Sequence, residues 1–324
     1  MLKIFWDIAR FLGIKNPYFL FLAIKKQKRI RSSVVERISK DFLNDFICKN
    51  KQEKLDKLKK WLDQKSKDNV DYIVKNIELV IFNNFIDYDI LFNEDDLKAR
   101  KNRKKLLEEF NKMNIKFPKK IKKIEYPVLY KHWIESVPNF EKYIEWKDIL
   151  DCGGYIWDSA MMFYKNFWNI INNIHIFEPI ENNYNFIKDT IKLNWCQNRV
   201  FVCKKWVWDK NETLYMSESG PSSHIVKKSK NKIEATKIDD YVKKNNLKPW
   251  VIKRDIEWFE YNSLLWARKT IEKYKPILLI SIYHNARDFF DIKPMIESRK
   301  LWYKFKIEKH NPNSPFLETV LICY

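Results

Sequence analysis

The stretch Ile149-Leu150-Asp151-Cys152-Gly153-Gly154-Tyr155-Ile156-Trp157-Asp158-Ser159 decides how the rest of the chain is read. An apolar run ends at Asp151, small residues follow, and helical spacing begins at Ser159, so the pattern predicts a strand, a tight turn and a helix. Such a turn points backbone N–H groups at a ligand, and glycine lets that ligand approach the backbone closely. Working outward, Ile174-His175-Ile176-Phe177-Glu178-Pro179 predicts a second strand ending in an acid. Glu178 follows Asp151 by about one strand–helix–strand unit, which suits a carboxylate that accepts both hydroxyls of a ribose. Ordinary strand-end residues would look the same.

The second half of the chain narrows the choice. Val251-Ile252-Lys253-Arg254-Asp255-Ile256-Glu257-Trp258-Phe259-Glu260 is followed by a helix-like stretch over 261–274. An apolar strand ending at His284 comes next, and Glu318-Thr319-Val320-Leu321-Ile322-Cys323-Tyr324 closes the chain. Together with the 151–159 turn and Phe177-Glu178-Pro179, this order resembles the FkbM family of S-adenosylmethionine-dependent methyltransferases. The resemblance covers roughly residues 125–324.

It implies a doubly wound Rossmann-like α/β sheet of the class I methyltransferase type, mostly parallel, with an antiparallel last strand and the strand order 3-2-1-4-5-7-6. It also implies S-adenosylmethionine as cofactor, held by Asp151, Gly153, Gly154, Tyr155, Trp157, Asp158 and Glu178, with Ser223 bordering the adenine or the acceptor. Asp255, Glu257 and His284 are the candidate catalytic groups, and the implied acceptor is a hydroxyl of a sugar, glycan or other small metabolite. Each has a plainer reading: Asp255 and Glu257 as carboxylates satisfied by Lys253, Arg254 or backbone donors, and His284 as a structural strand-end histidine. Ser222, Ser223 and His224 equally suit a polar turn around Gly220 and Pro221. Glu318 reads as structural within its strand.

The match departs from the family in one repeated way: tryptophan stands where the pattern carries glycine, at Trp157, Trp258, Trp266 and Trp302, and at the turn-like Trp146, Trp206 and Trp208. The chain has 4 glycines and 13 tryptophans, whereas average usage of about 7% calls for roughly 20 glycines. UGA codons read as glycine by the source organism, but translated as tryptophan, would produce this pattern. A decayed enzyme with real tryptophans is the alternative.

Two competing functions need weighing. Asp151 to Trp157 does not reproduce the G-x-G-x-x-G turn of nicotinamide enzymes even with glycine at 157, and the Asp255/Glu257 block has no role in that chemistry. An inactive cofactor- or glycan-binding module of the same fold remains open. The formal charge of +20 invites a nucleic-acid partner, but lysine dominates over arginine alongside abundant Asn, Ile, Phe and Tyr. That is an A/T-rich coding bias spread over solvated faces, and no nucleic-acid module accompanies it.

Five widely spaced cysteines, Cys48, Cys152, Cys196, Cys203 and Cys323, lack zinc-site pairing and suit a reducing cytosol. No metal is expected, since His132, His175 and His310 have no ligand spacing. Charged residues interrupt the apolar run near Phe19, so a cytoplasmic chain with at most peripheral membrane contact is expected. Residues 1–124 read as a helical N-terminal region, with segments at 51–62, 70–92 and 94–113. The stripe Val70, Ile73, Val74, Ile77, Val80 and Ile81 is a packing face. Substrate choice and oligomerisation both remain open as roles for this region.

Overall fold

The structure is a computed structural model that describes residues 41–42, 51–82, 91–121, 124–143, 146–155, 158–216, 225–226, 229–309, 311–314 and 316–324. The expectations on Cys48, Trp157, Ser222, Ser223, His224, His310 and the apolar run near Phe19 lie outside the described residues, as do those on the side chains of Val80, Ile81 and Asp158.

Three helices lead: α1 (Lys51–Lys59), α2 (Gln64–Phe82) and α3 (Glu94–Lys112). Asn93 and Asp96 cap α3 reciprocally, each side chain accepting the other's backbone N–H. The alternating part begins with β1 (Lys147–Cys152), α4 (Asp158–Phe167), β2 (Ile171–Phe177), α5 (Glu181–Leu193) and β3 (Val200–Cys203). Four short strands follow: β4 (Lys205–Val207), β5 (Thr213–Met216), β6 (Ile225–Val226) and β7 (Asn231–Thr236). The chain ends with α6 (Ile238–Lys244), β8 (Pro249–Arg254), α7 (Glu260–Trp266), α8 (Arg268–Tyr274), β9 (Ile277–Ser281), α9 (Ala286–Ser298), β10 (Phe305–Lys309) and β11 (Thr319–Cys323).

Seven strands form one sheet in the order β3-β2-β1-β8-β9-β11-β10, with β11 antiparallel to both its neighbours and the other pairs parallel. Counted along the chain within that sheet, the order is 3-2-1-4-5-7-6, as the family resemblance implied. Every residue of β8 and β9 is buried, which is why these strands read as apolar runs without alternation. Side chains still alternate between faces: Leu150 and Cys152 join the core on one side of the sheet, Ile149 the core on the other.

The one-helix expectation for 261–274 gives way to two helices meeting at Ala267. Asp239 supplies the reason. Its carboxylate accepts the backbone N–H of Lys269 and Thr270 and the Thr270 hydroxyl, at 3.2, 2.8 and 2.7 Å, and so starts a fresh helix from outside. A second sheet has four strands in the order β4-β7-β5-β6.

The helical N-terminal region is built into this architecture. Val70, Ile73, Val74 and Ile77 of the predicted stripe are buried in the same core as Leu278, Phe289, Phe305 and Leu321. The start of α2 also covers the outer strand of the sheet. Leu62 bridges to Phe305, the Ile307 N–H donates to Ser66 Oγ at 3.0 Å, and Asn69 Nδ2 donates to the Ile307 carbonyl at 2.8 Å. Among the described residues, no helix is long and apolar enough to cross a membrane.

Candidate active site

β1 lies between β2 and β8, and the carboxyl ends of these three strands open into a cavity of about 290 Å³. In a sheet of this kind, ligands gather where the connections part to opposite sides, which is here between β1 and β8. Gly153 has φ +87°, and a Cβ there would lie 1.8 Å from the Asp255 carbonyl oxygen. Only glycine lets the turn after β1 press against the end of β8. A Cβ on Gly154 would lie 2.5 Å from Ile176 Cγ2.

The expectation that this turn offers free N–H groups is corrected in part. Gly153 and Gly154 both donate to the Phe177 carbonyl, at 3.1 and 3.2 Å, and Tyr155 N–H donates to Glu178 Oε2 at 2.9 Å. The turn stays bound to β2 for two residues, so the glycines shape the cavity wall by what they lack.

Asp151 is fully buried. One of its oxygens meets Lys253 Nζ at 2.9 Å and the other accepts from Ser159 Oγ at 2.7 Å. Its carboxylate therefore braces the turn from beneath, while Lys253, Ser159, Gly153, Gly154 and Tyr155 line the cavity. Glu178 stands on the wall, accepting from Tyr155 N–H and from Ile180 N–H, the latter at 2.9 Å. Burial pushes its carboxyl up to about 7 against the pull of these hydrogen bonds.

The other end of the cavity is ionisable. Asp255, Glu257, Glu318 and Glu125 line it, with Tyr283 beside them. Glu257 and Trp258 both hold left-handed backbone, at φ 53° and 79°, which turns the chain sharply at the end of β8. His284 is buried behind these acids: its Nε2 lies 3.6 Å from Asp255 and 3.8 Å from Glu257, and its Nδ1 lies 2.9 Å from Glu260. The three catalytic candidates therefore come together, but His284 is not part of the lining.

Three further residues escaped the sequence reading. Glu260, wholly buried at the head of α7, gave no signal beyond standing last in the quoted block. Glu318, read as structural, has φ 60° and faces the cavity, where burial and Asp255 push its carboxyl up to about 8. His132, set aside in the sequence for lacking ligand spacing, is buried on the cavity wall against the Phe163 ring; burial pushes its imidazole well down, so it is neutral.

The sequence from Asp151 to Lys306 matches the Methyltransferase FkbM domain. The chain carries an FkbM methyltransferase domain. The domain spans the cavity turn, Glu178, the Asp255 to Glu260 block and His284. A methyltransferase FkbM from Methylobacillus flagellatus KT has the same fold at a TM-score of 0.59 and 19% identity; 88% of this chain aligns with 61% of that one, so the chain spans under two thirds of its length. More distant are an SAH-bound methyltransferase from Podospora anserina (TM-score 0.40, 14% identity, 72% of this chain and 96% of that chain) and a methyltransferase from Geobacter sulfurreducens (TM-score 0.37, 10% identity, 72% and 89%). No curated protein matches the chain in sequence.

Proposed function

We propose that this protein moves a methyl group from S-adenosylmethionine to a hydroxyl of a sugar, glycan or other small metabolite. The observation that carries the reading is one continuous cavity with a buried carboxylate, Glu178, at one end and paired carboxylates, Asp255 and Glu257, at the other. The residues present fit the cofactor. Gly153 and Gly154 form a cradle that a Cβ would obstruct, and Glu178 offers two oxygens to a ribose diol.

When bound, the cofactor supplies an electrophilic methyl on a positively charged sulfur. The chain's own residues do the rest. The turn after β1 and Glu178 hold the donor in line with the acceptor, and this orientation carries much of the acceleration. Asp255 or Glu257, which line the cavity, would take the proton of the acceptor hydroxyl.

Calorimetry with S-adenosylmethionine and then label transfer to neutral sugars, nucleotide sugars and glycan extracts tests the reading in two steps. Saturable binding that Glu178→Ala abolishes, followed by a methylated product, is expected. Absence of binding to the native polypeptide would sink it; binding without turnover of any acceptor would favour the inactive-module reading.

A further inference from the structure

We propose that Glu260 is the positioning residue of this centre, fixing His284 as a bridge that holds Asp255 and Glu257 side by side at the acceptor end. The proposal rests on the methyl-transfer reading. Glu260 Oε1 meets His284 Nδ1 at 2.9 Å and also accepts the Ile256 N–H at 2.9 Å. Ile256 lies between the two cavity acids, so one buried carboxylate anchors both the backbone that carries them and the ring that faces them.

The opposite edge of the imidazole, Nε2, then stands 3.6 and 3.8 Å from Asp255 and Glu257. His284 cannot reach an acceptor, whereas both acids can. The arrangement is a cation between carboxylates: burial works against the charged ring, but Glu260, then Glu257 and Asp255, hold His284 well above its usual range. Asp288, on the far side of Glu260, is pushed up to about 9 by burial and by that carboxylate, so it stays protonated and adds no competing charge. Glu318 and Tyr283 complete the ionisable surroundings.

A metal ion is the rival occupant, since Asp255, Glu260 and His284 offer donor atoms within 4.8 Å of one another. Glu260 and Asp255 meet opposite ring nitrogens, contacts that a charged ring satisfies without an ion, and sensitivity to a chelator distinguishes the two occupants.

Glu260→Gln keeps an acceptor for the Ile256 N–H but removes the charge. It should leave the Kd for S-adenosylmethionine within about threefold, lower kcat by about tenfold or more, and shift the pH profile of kcat. In the unaltered protein, the His284 ring should still be imidazolium by nitrogen NMR at a pH where an ordinary histidine is neutral, a readout that needs neither turnover nor a variant. A neutral ring at that pH, a Glu260→Gln profile like that of the parent, or activity lost to a chelator and restored by magnesium would each overturn the proposal. Loss of cofactor binding in the parent protein would instead sink the methyl-transfer reading.

Backbone geometry independently carries a second inference: we infer that Trp61, Trp146, Trp195, Trp258 and Trp302 are glycines in the native polypeptide. All five hold left-handed backbone, with φ of 61°, 53°, 54°, 79° and 66°, a region that a bulky side chain disfavours. Four of them leave the indole in solvent, at 74% exposure for Trp61, 65% for Trp146, 80% for Trp195 and 90% for Trp302.

Trp195 is the sharpest case. Its N–H donates to the Lys192 carbonyl and the Cys196 N–H to the Ile191 carbonyl, the paired bonds with which a helix ends on a left-handed glycine. α6 ends the same way on Asn246, a residue that tolerates φ 51°. Trp206 and Trp250, by contrast, sit buried in strands, and Trp266 closes α7; none needs glycine's freedom.

Tryptic peptides covering residues 193–199 and 301–304, from the source cells, should carry glycine at 195 and 302 by mass spectrometry. Tryptophan in both would overturn the inference.

Discussion

The two ends of the cavity are made of opposite materials. After β1 the chain contributes almost no side chain, and Gly153 and Gly154 shape the wall by being small. After β8 it contributes carboxylates held at close quarters around a buried histidine. If the proposed function holds, one end would recognise by shape and the other act by charge, so damage at the first should show in folding and affinity and damage at the second in rate.

The largest effect should come from beneath the first end. Lys253→Met strips the fully buried Asp151 of its cation and should cost about 3–5 kcal/mol by chemical denaturation. Equal stability would mean that the charge pair does not brace the turn. Gly153→Ala follows, because the methyl would meet the Asp255 carbonyl at 1.8 Å in a left-handed conformation; a loss of about 2–4 kcal/mol, with cofactor binding lost, is expected in thermal melts and calorimetry.

A milder effect is set by pH. On the proposed reading, Glu178, pushed up to about 7, would accept from both hydroxyls of a ribose only when ionised, so acid should weaken binding and base should not. Affinity for S-adenosylmethionine should fall roughly tenfold between about pH 8 and about pH 6. A flat profile would remove Glu178 from the cofactor site. The smallest effect has the opposite sign: Trp195→Gly should raise stability by about 1 kcal/mol, and a loss there would argue that the indole belongs.

Sequence alone revealed the end built of glycine better than the end built of charge. β9 is almost wholly apolar, and β1, β2 and β8 each hold a short apolar stretch; a stretch of that kind states its own burial. Asp151, Gly153, Gly154 and Glu178 sit beside those runs and were found with them. Lys253 pairs with Asp151 across about a hundred residues, and Glu260 meets His284 across two helices and a strand; local pattern contains neither contact.

β4 has three residues and becomes a strand only through its partner, and in β7 the alternation of Lys232 and Glu234 with Ile233 and Ala235 is too brief to stand out without one. The break at Ala267 was hidden for the same reason, since the cap that restarts the helix comes from Asp239. Left-handed tryptophans were legible only by analogy at Trp146, Trp258 and Trp302, whereas Trp61 and Trp195 needed backbone angles to stand out.

Ser66 and Asn69 occupy the hydrogen-bonding groups of Ile307 on the outermost strand. Cutting the chain at residue 124 to isolate a minimal catalytic unit would therefore bare a β-rim whose ladder is already half satisfied from within. Such a fragment should pair rim to rim with its own copies and precipitate, which makes the leading helices a stopper for the sheet as much as an accessory to it.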